Sequence, residues 1–262
     1  MKNKSLFEWV KAHPKEPATE ALLLRHLESL ATIDDDALQK RLLKELIRSY
    51  VALEKRVDSL LKNTLPAIVA EEIKYDDRFL PRSYQCTILF TDFIGFTGLA
   101  ETIPRTTLIE TLNVIFTEFD NQINYFKGTK IKTIGDAYMA VFGAPIEYDE
   151  HPVLAIRAAL DMIRFMERFN STAEHPFNIR IGIHTGQVAA GVVGKERMQF
   201  DVFGDDVNIA SRFESSSTKN RINISEATYT LCRDYFDFEE RGPIQLKNKA
   251  NMKAYFVLGE KY

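Results

Sequence analysis

The sequence predicts an α+β fold, and three observations carry that reading. From Tyr84 onward, short apolar runs of strand character alternate with longer stretches whose apolar residues recur at helical spacing. Two of the runs, 130–134 and 137–142, flank Gly135-Asp136, a two-residue hairpin signal. The segments 104–126 and 151–170 supply two amphipathic helices on either side of that hairpin.

In chain order, residues 1–36 form a polar, helix-leaning segment interrupted by Pro14 and Pro17, and Asp34, Asp35 and Asp36 offer N-caps for the helix after them. Residues 37–62 hold no Gly or Pro and read as one helix. Within it Leu43, Leu46, Tyr50, Leu53, Val57 and Leu60 recur every three or four residues, a seam of about two and a half heptads. Such a seam suits either packing on its own domain or pairing with a second copy. Thr64-Leu65-Pro66 ends the helix, and a connector over 63–83, with a short helical piece at 67–74, leads to a boundary near Pro81. The domain 84–262 then opens with a strand at 84–91, followed by the helix, hairpin and helix already named. Strands at 178–184 and 187–193, joined near Thr185-Gly186, complete a ferredoxin-like βαββαβ core. Helices at 206–215 and 225–232 and short strands over 235–258, with a hairpin around Lys249 to Asn251, extend it.

The bulk numbers set limits. A chain of 262 residues with 45% hydrophobic and 27% charged residues can bury a sizeable core. A net charge of −3 gives no argument for nucleic acid or an anionic membrane as partner. No apolar run approaches the roughly 20 residues needed to span a bilayer, and the N-terminus lacks the apolar stretch of a secretory signal. Cys86 and Cys232 each sit inside apolar segments; two buried thiols of a reducing, cytoplasmic compartment fit them better than the alternative, a disulfide.

Three stretches carry chemistry: FTDFIGFT (90–97), KTIGDAYMAVFG (132–143) and FDVFGDDVNIASR (200–212). Asp92 and Asp136 sit in turn-like settings at strand ends, where two carboxylates can converge on hard divalent cations. Taken in order, the three stretches resemble the catalytic signatures of class III nucleotidyl cyclases, the adenylyl and guanylyl cyclase family, over about Tyr84 to Val257.

The resemblance implies roles residue by residue. Asp92 and Asp136, with the backbone carbonyl of Phe93, would hold two Mg2+ or Mn2+ ions against a nucleoside triphosphate. Gly95, Phe96 and Thr97 open a helix whose amides suit phosphate oxygens. Lys132 and Asp201 would read the base: a Lys donor and an Asp acceptor match the N1 and 6-amino edge of adenine. Guanylyl members carry Glu and Cys at the matching places. Asn208 would orient the ribose and Arg212 would stabilise charge at the α-phosphate. The two lie four apart, on one helix face. A lysine of the late hairpin, Lys247 or preferably Lys249, would reach the triphosphate. Asp205 and Asp206 read as helix-starting acids rather than metal ligands, and His184 as a satisfied structural residue at the end of an apolar strand.

The implied activity is conversion of ATP to 3′,5′-cyclic AMP and pyrophosphate. In the family the acids come from one protomer and the base-reading, Asn and Arg residues from its twin, so a homodimer of this chain would hold two equivalent sites. That dependence favours the helix 37–62 as a short parallel coiled coil that orients the pair. Two other functions fit less well. A guanylyl cyclase is disfavoured by Lys132 and Asp201, and a catalytically silent nucleotide-binding regulatory module should lack at least one of the acids, Asn208 or Arg212.

Overall fold

The computed structural model describes residues 35–245 and 251–261, together with Arg25, Glu28, Ser29, Thr32 and Ile33. The chain divides into two compact units, one ending at Thr64 and the other beginning at Leu65.

In the first unit, α1 (Asp36–Lys62) starts where the Asp35 side chain accepts hydrogen bonds from the amides of Ala37 and Leu38, at 2.9 and 3.1 Å. Asp36 in its first turn and Lys62 in its last complement the helix dipole. No residue of α1 is buried, and Leu53, Val57 and Leu60 stand about half exposed at 51%, 47% and 58%. Among the described residues, the seam seen in the sequence is therefore an exposed face of α1.

The second unit begins with α2 (Ala67–Asp76) and continues through β1 (Arg82–Phe93), α3 (Phe96–Thr102), α4 (Arg105–Tyr125), β2 (Thr129–Ile134), β3 (Ala137–Phe142) and α5 (His151–Asn170). It proceeds with β4 (Ile179–Val193), β5 (Gln199–Phe203), α6 (Asp205–Ser215), β6 (Ile222–Ser225), α7 (Glu226–Cys232), β7 (Phe236–Ile244) and β8 (Met252–Glu260). The strands form one sheet in the order β2-β3-β1-β4-β6-β8-β7, and β5 pairs with β4 off that path. β1 lies between β3 and β4, antiparallel to both, which is the core that the strand–helix–hairpin–helix–strand order predicts. No helix among the described residues is long and apolar enough to cross a membrane.

Alternation along β4 explains the layering. Ile179, Ile181 and Ile183 are fully buried on the face that also carries Leu89, Phe119 and Ile156, where α4 and α5 pack. Arg180, Gly182, His184 and Gly186 point to the opposite face and form the bed of α6. Gly182 is required there, because a Cβ would stand 1.9 Å from the Glu214 amide nitrogen. Ile209 and Phe213 of α6 pack beside Ile244 and Ala254.

Several boundaries differ from expectation, each for a local reason. The stretch 178–193 is one strand, not two: Thr185 and Gly186 keep register opposite Thr87 and Cys86, and the Thr185 hydroxyl bonds Thr87 at 2.8 Å. Pro104 separates α3 from α4, because proline restricts the residue before it and offers no amide. The short strands β5 and β6 were not anticipated. Both cysteines are free and buried, and burial pushes each thiol up to about 12.

Candidate active site

Sheet register builds the site. Thr91 pairs with Tyr138 across β1 and β3, so the hairpin tip Gly135-Asp136 stands beside the end of β1, where Asp92 and Phe93 lie. Gly135 has φ of +64°, a left-handed conformation that suits glycine at this tip. Burial, and then the charge of the neighbouring Asp92 carboxylate, raise the Asp136 carboxyl above its ordinary range. Phe93 buries its ring against Phe96, Phe116 and Phe177, which leaves its backbone as the polar group it can offer.

Across β1 and β4 the register places Asp92 directly opposite Arg180. The arginine donates from Nη2 to Asp92 Oδ2 at 2.7 Å, from Nε to Glu214 Oε1 at 2.6 Å, and from Nη1 to the Ser215 carbonyl at 3.3 Å. Glu214 is pushed up to about 7, first by burial and then by the Asp92 and Asp136 charges, against the opposing pull of Arg180. Sequence reasoning missed both Arg180 and Glu214. A signal for Arg180 was present: a charge inside Ile179-Arg180-Ile181 must leave the apolar face, and alternation aims it at the acids.

The remaining candidates fall into separate groups. Lys132 on β2 donates from Nζ to Asp201 Oδ2 on β5 at 2.5 Å, while Asp201 Oδ1 accepts from the Val202 amide at 2.9 Å. Gly95, at φ +74°, precedes α3, whose first turn (Phe96, Thr97) has no side-chain cap. Asn208 and Arg212 share the exposed face of α6, opposite buried Ile209 and Phe213, and neither side chain has a hydrogen-bond or ion-pair partner among the described residues. No hydrogen bond or ion pair among the described residues joins either acid to Lys132, Asp201, Asn208 or Arg212. Lys247 and Lys249 lie outside the described residues.

The acids suit a divalent cation. Two carboxylates share one end of the sheet closely enough for the Asp92 charge to raise the Asp136 carboxyl, and hard cations prefer such oxygen donors. No group of three or more His, Cys, Asp or Glu side chains with metal-binding geometry occurs among the described residues. The balance of ligands would therefore come from backbone carbonyl, solvent or phosphate oxygen.

The family profile of the adenylate and guanylate cyclase catalytic domain matches residues 80–259. The chain is 34% identical over 224 residues to an adenylate cyclase of Mycobacterium tuberculosis, covering 84% of this chain and 51% of that protein. It is also 34% identical to the guanylate cyclase soluble subunit beta-2 of Homo sapiens, over 92% of this chain and 40% of that one. The chain thus spans about half, or less, of the length of these relatives. Among solved structures, the guanylate cyclase domain from Catenaria anguillulae in complex with GTP aligns with a TM-score of 0.66 and 34% identity, over 69% of this chain and all of that one (100%). An adenylyl cyclase from P. aeruginosa gives a TM-score of 0.66 and 30% identity, over 70% of this chain and 98% of that one. With register, acid pair and α6 arranged as described, the chain belongs to the class III adenylate and guanylate cyclase catalytic-domain family.

Proposed function

We propose that this chain is an adenylyl cyclase, converting ATP to 3′,5′-cyclic AMP and pyrophosphate at sites shared across a homodimer. The observation that carries ATP over GTP is the Lys132–Asp201 pair. The ammonium keeps further N–H donors for N1 of adenine, and the carboxylate keeps lone pairs for the 6-amino group. Guanine presents the reversed pattern and would leave both groups mismatched.

Asp92, Asp136 and the Phe93 carbonyl would hold two Mg2+ or Mn2+ ions. Such ions acidify an attacking hydroxyl and neutralise charge on a leaving oxygen. Asn208 orients the ribose so that its 3′-oxygen lies in line with the α-phosphorus. Arg212 donates several fixed N–H groups to oxygens that gain charge as the bond to pyrophosphate breaks. Gly95, Phe96 and Thr97 offer amides to the triphosphate, Lys249 adds a cation, and Arg180 supplies positive charge beside the acids.

Two features support the dimer. One chain carries both halves of a site, yet no described contact joins the acids to Asn208 or Arg212. The helix α1 exposes an apolar seam that a second copy would cover. Cyclic nucleotide production from ATP and from GTP, with Mg2+ or Mn2+, tests the reading, with Asp92→Ala as the inactive control. GTP belongs in the assay because the similar Catenaria domain was crystallised with it. A chain shortened to begin at Leu65 should dimerise more weakly and turn over more slowly. Unchanged values of both would dismiss a role for α1.

A further inference from the structure

His184 and Asp206 take no part in the reading above, yet they join the strand β4 to the helix α6. Asp206 lies in the first turn of α6, two residues before Asn208. Its Oδ2 accepts from the Gln187 amide at 2.8 Å, and its Oδ1 faces His184 Nε2 at 3.0 Å. The fit leaves no slack: a Cβ on Gly186 would stand 2.4 Å from the Asp206 carboxyl carbon. The His184 ring also stacks on Phe213, with centroids 6.2 Å apart and planes 7° apart, so one imidazole touches both the start and the later part of α6.

The far side of the imidazole is held as firmly. His184 Nδ1 meets the Ser225 hydroxyl at 2.8 Å, and that hydroxyl meets Thr228 Oγ1 at 3.2 Å. Thr228 meets Thr185 at 3.0 Å, Thr185 meets Thr87 at 2.8 Å, and Thr87 meets His151 Nδ1 at 2.8 Å. All of these residues except Asp206 are buried. Direction follows from the Asp206 end. A carboxylate only accepts, so in the neutral His184 ring a hydrogen on Nε2 leaves Nδ1 to accept from Ser225. Each hydroxyl then donates one step toward His184 and accepts one step from behind, and the chain ends on an N–H of His151. Every member is satisfied, and aligned hydrogen bonds of this kind strengthen one another in a dry interior.

We propose that His184 and Asp206 are positioning residues that set the first turn of α6 and thereby the Asn208 side chain. This rests on the proposed function, in which Asn208 faces the nucleotide. Small displacements of such a group weaken turnover more than binding, because the geometry matters most in the transition state.

Two substitutions separate the two ends of the imidazole. His184→Gln retains a donor near the place of Nε2 and gives up the bond to Ser225. His184→Asn retains an acceptor near Nδ1 and gives up the bond to Asp206. Initial rates over a range of ATP concentrations, with melting temperatures as the check on folding, should show kcat of His184→Asn reduced on the order of tenfold with KM within about twofold. Asp206→Asn should match it, whereas His184→Gln should stay within about threefold of wild type. A purely structural histidine would penalise both His184 variants alike, and equal kcat values for the two would overturn the proposal. So would a loss confined to KM. A wild-type chain that cyclises neither ATP nor GTP would instead overturn the reading of the site, and this inference with it.

Discussion

Exchanging the base-reading pair is the sharpest perturbation of the proposed function. Lys132→Glu with Asp201→Cys reverses the donor and acceptor order offered to the purine. Both positions must change together: Lys132 and Asp201 stand 2.5 Å apart, so Lys132→Glu alone would face one carboxylate with another. The Asp201 side chain is only 12% exposed and that of Lys132 31%, so with a purine seated on the pair a mismatched partner would leave polar groups cut off from water. Each such group costs about 1–3 kcal/mol, and two give about 2–6 kcal/mol. That corresponds to a swing of about 30-fold to 20,000-fold in the ratio of kcat/KM for ATP to kcat/KM for GTP. The folded state should lose only about 1 kcal/mol, because a partly exposed pair is screened by solvent. The assay is initial-rate formation of both cyclic nucleotides by the same preparation, with urea denaturation to confirm folding. A well-folded double variant that kept the wild-type preference would refute the assignment of Lys132 and Asp201 to the base.

The same geometry sets three further outcomes. Asp92→Asn and Arg212→Ala should each abolish activity alone, yet an equal mixture should recover about a quarter of wild-type rate, because half the dimers are mixed and each has one intact site; no recovery would argue against shared sites. Glu214 is held near 7, above its ordinary 4.5, so the folded chain keeps a proton that the unfolded chain releases. Its contribution to stability is therefore fully present below about 4.5 and is lost as pH rises through about 7, by about 3 kcal/mol. Glu214→Gln should flatten that slope in denaturation curves taken from pH 5 to 8. Gly182→Ala drives a Cβ into the backbone of Glu214 and Phe213, at 1.9 to 2.5 Å, and should cost several degrees of melting temperature.

Much of this was legible in the sequence because the motifs coincide with element ends. Asp136 follows Gly135 at a hairpin tip, and Asp92 is next to the last residue of β1, so naming the turns nearly places the acids. The helix 151–170 was also readable to its ends, since its apolar residues keep a regular period and Pro152 sits where an amide is dispensable. What escaped depends on pairing between distant segments. Arg180 and Glu214 become site residues only through the β1–β4 register and the seat of α6, neither of which is a local signal. β5 and β6 are short and owe their form to β4, whose length was itself misjudged at Thr185-Gly186. There a glycine that looked like a turn is instead the space that Asp206 occupies.

That glycine belongs to a pattern with a mechanical consequence. Arg180, Gly182, His184 and Gly186 occupy successive positions on one face of β4, and each meets α6 in a different way. Arg180 binds Glu214, Gly182 lets the backbone of Phe213 and Glu214 approach, His184 bonds Asp206, and Gly186 leaves room for its carboxylate. A helix fixed at four places along a strand can neither slide nor rotate without breaking several contacts at once. In a shared-site dimer this rigidity has a purpose. There Asp92, bonded to Arg180 on β4, would serve one nucleotide, while Asn208 and Arg212 on α6 would serve the other. Any looseness between strand and helix inside one chain would then appear as misalignment at both sites. Catalytic precision across the interface would rest on packing within the protomer, where no nucleotide touches.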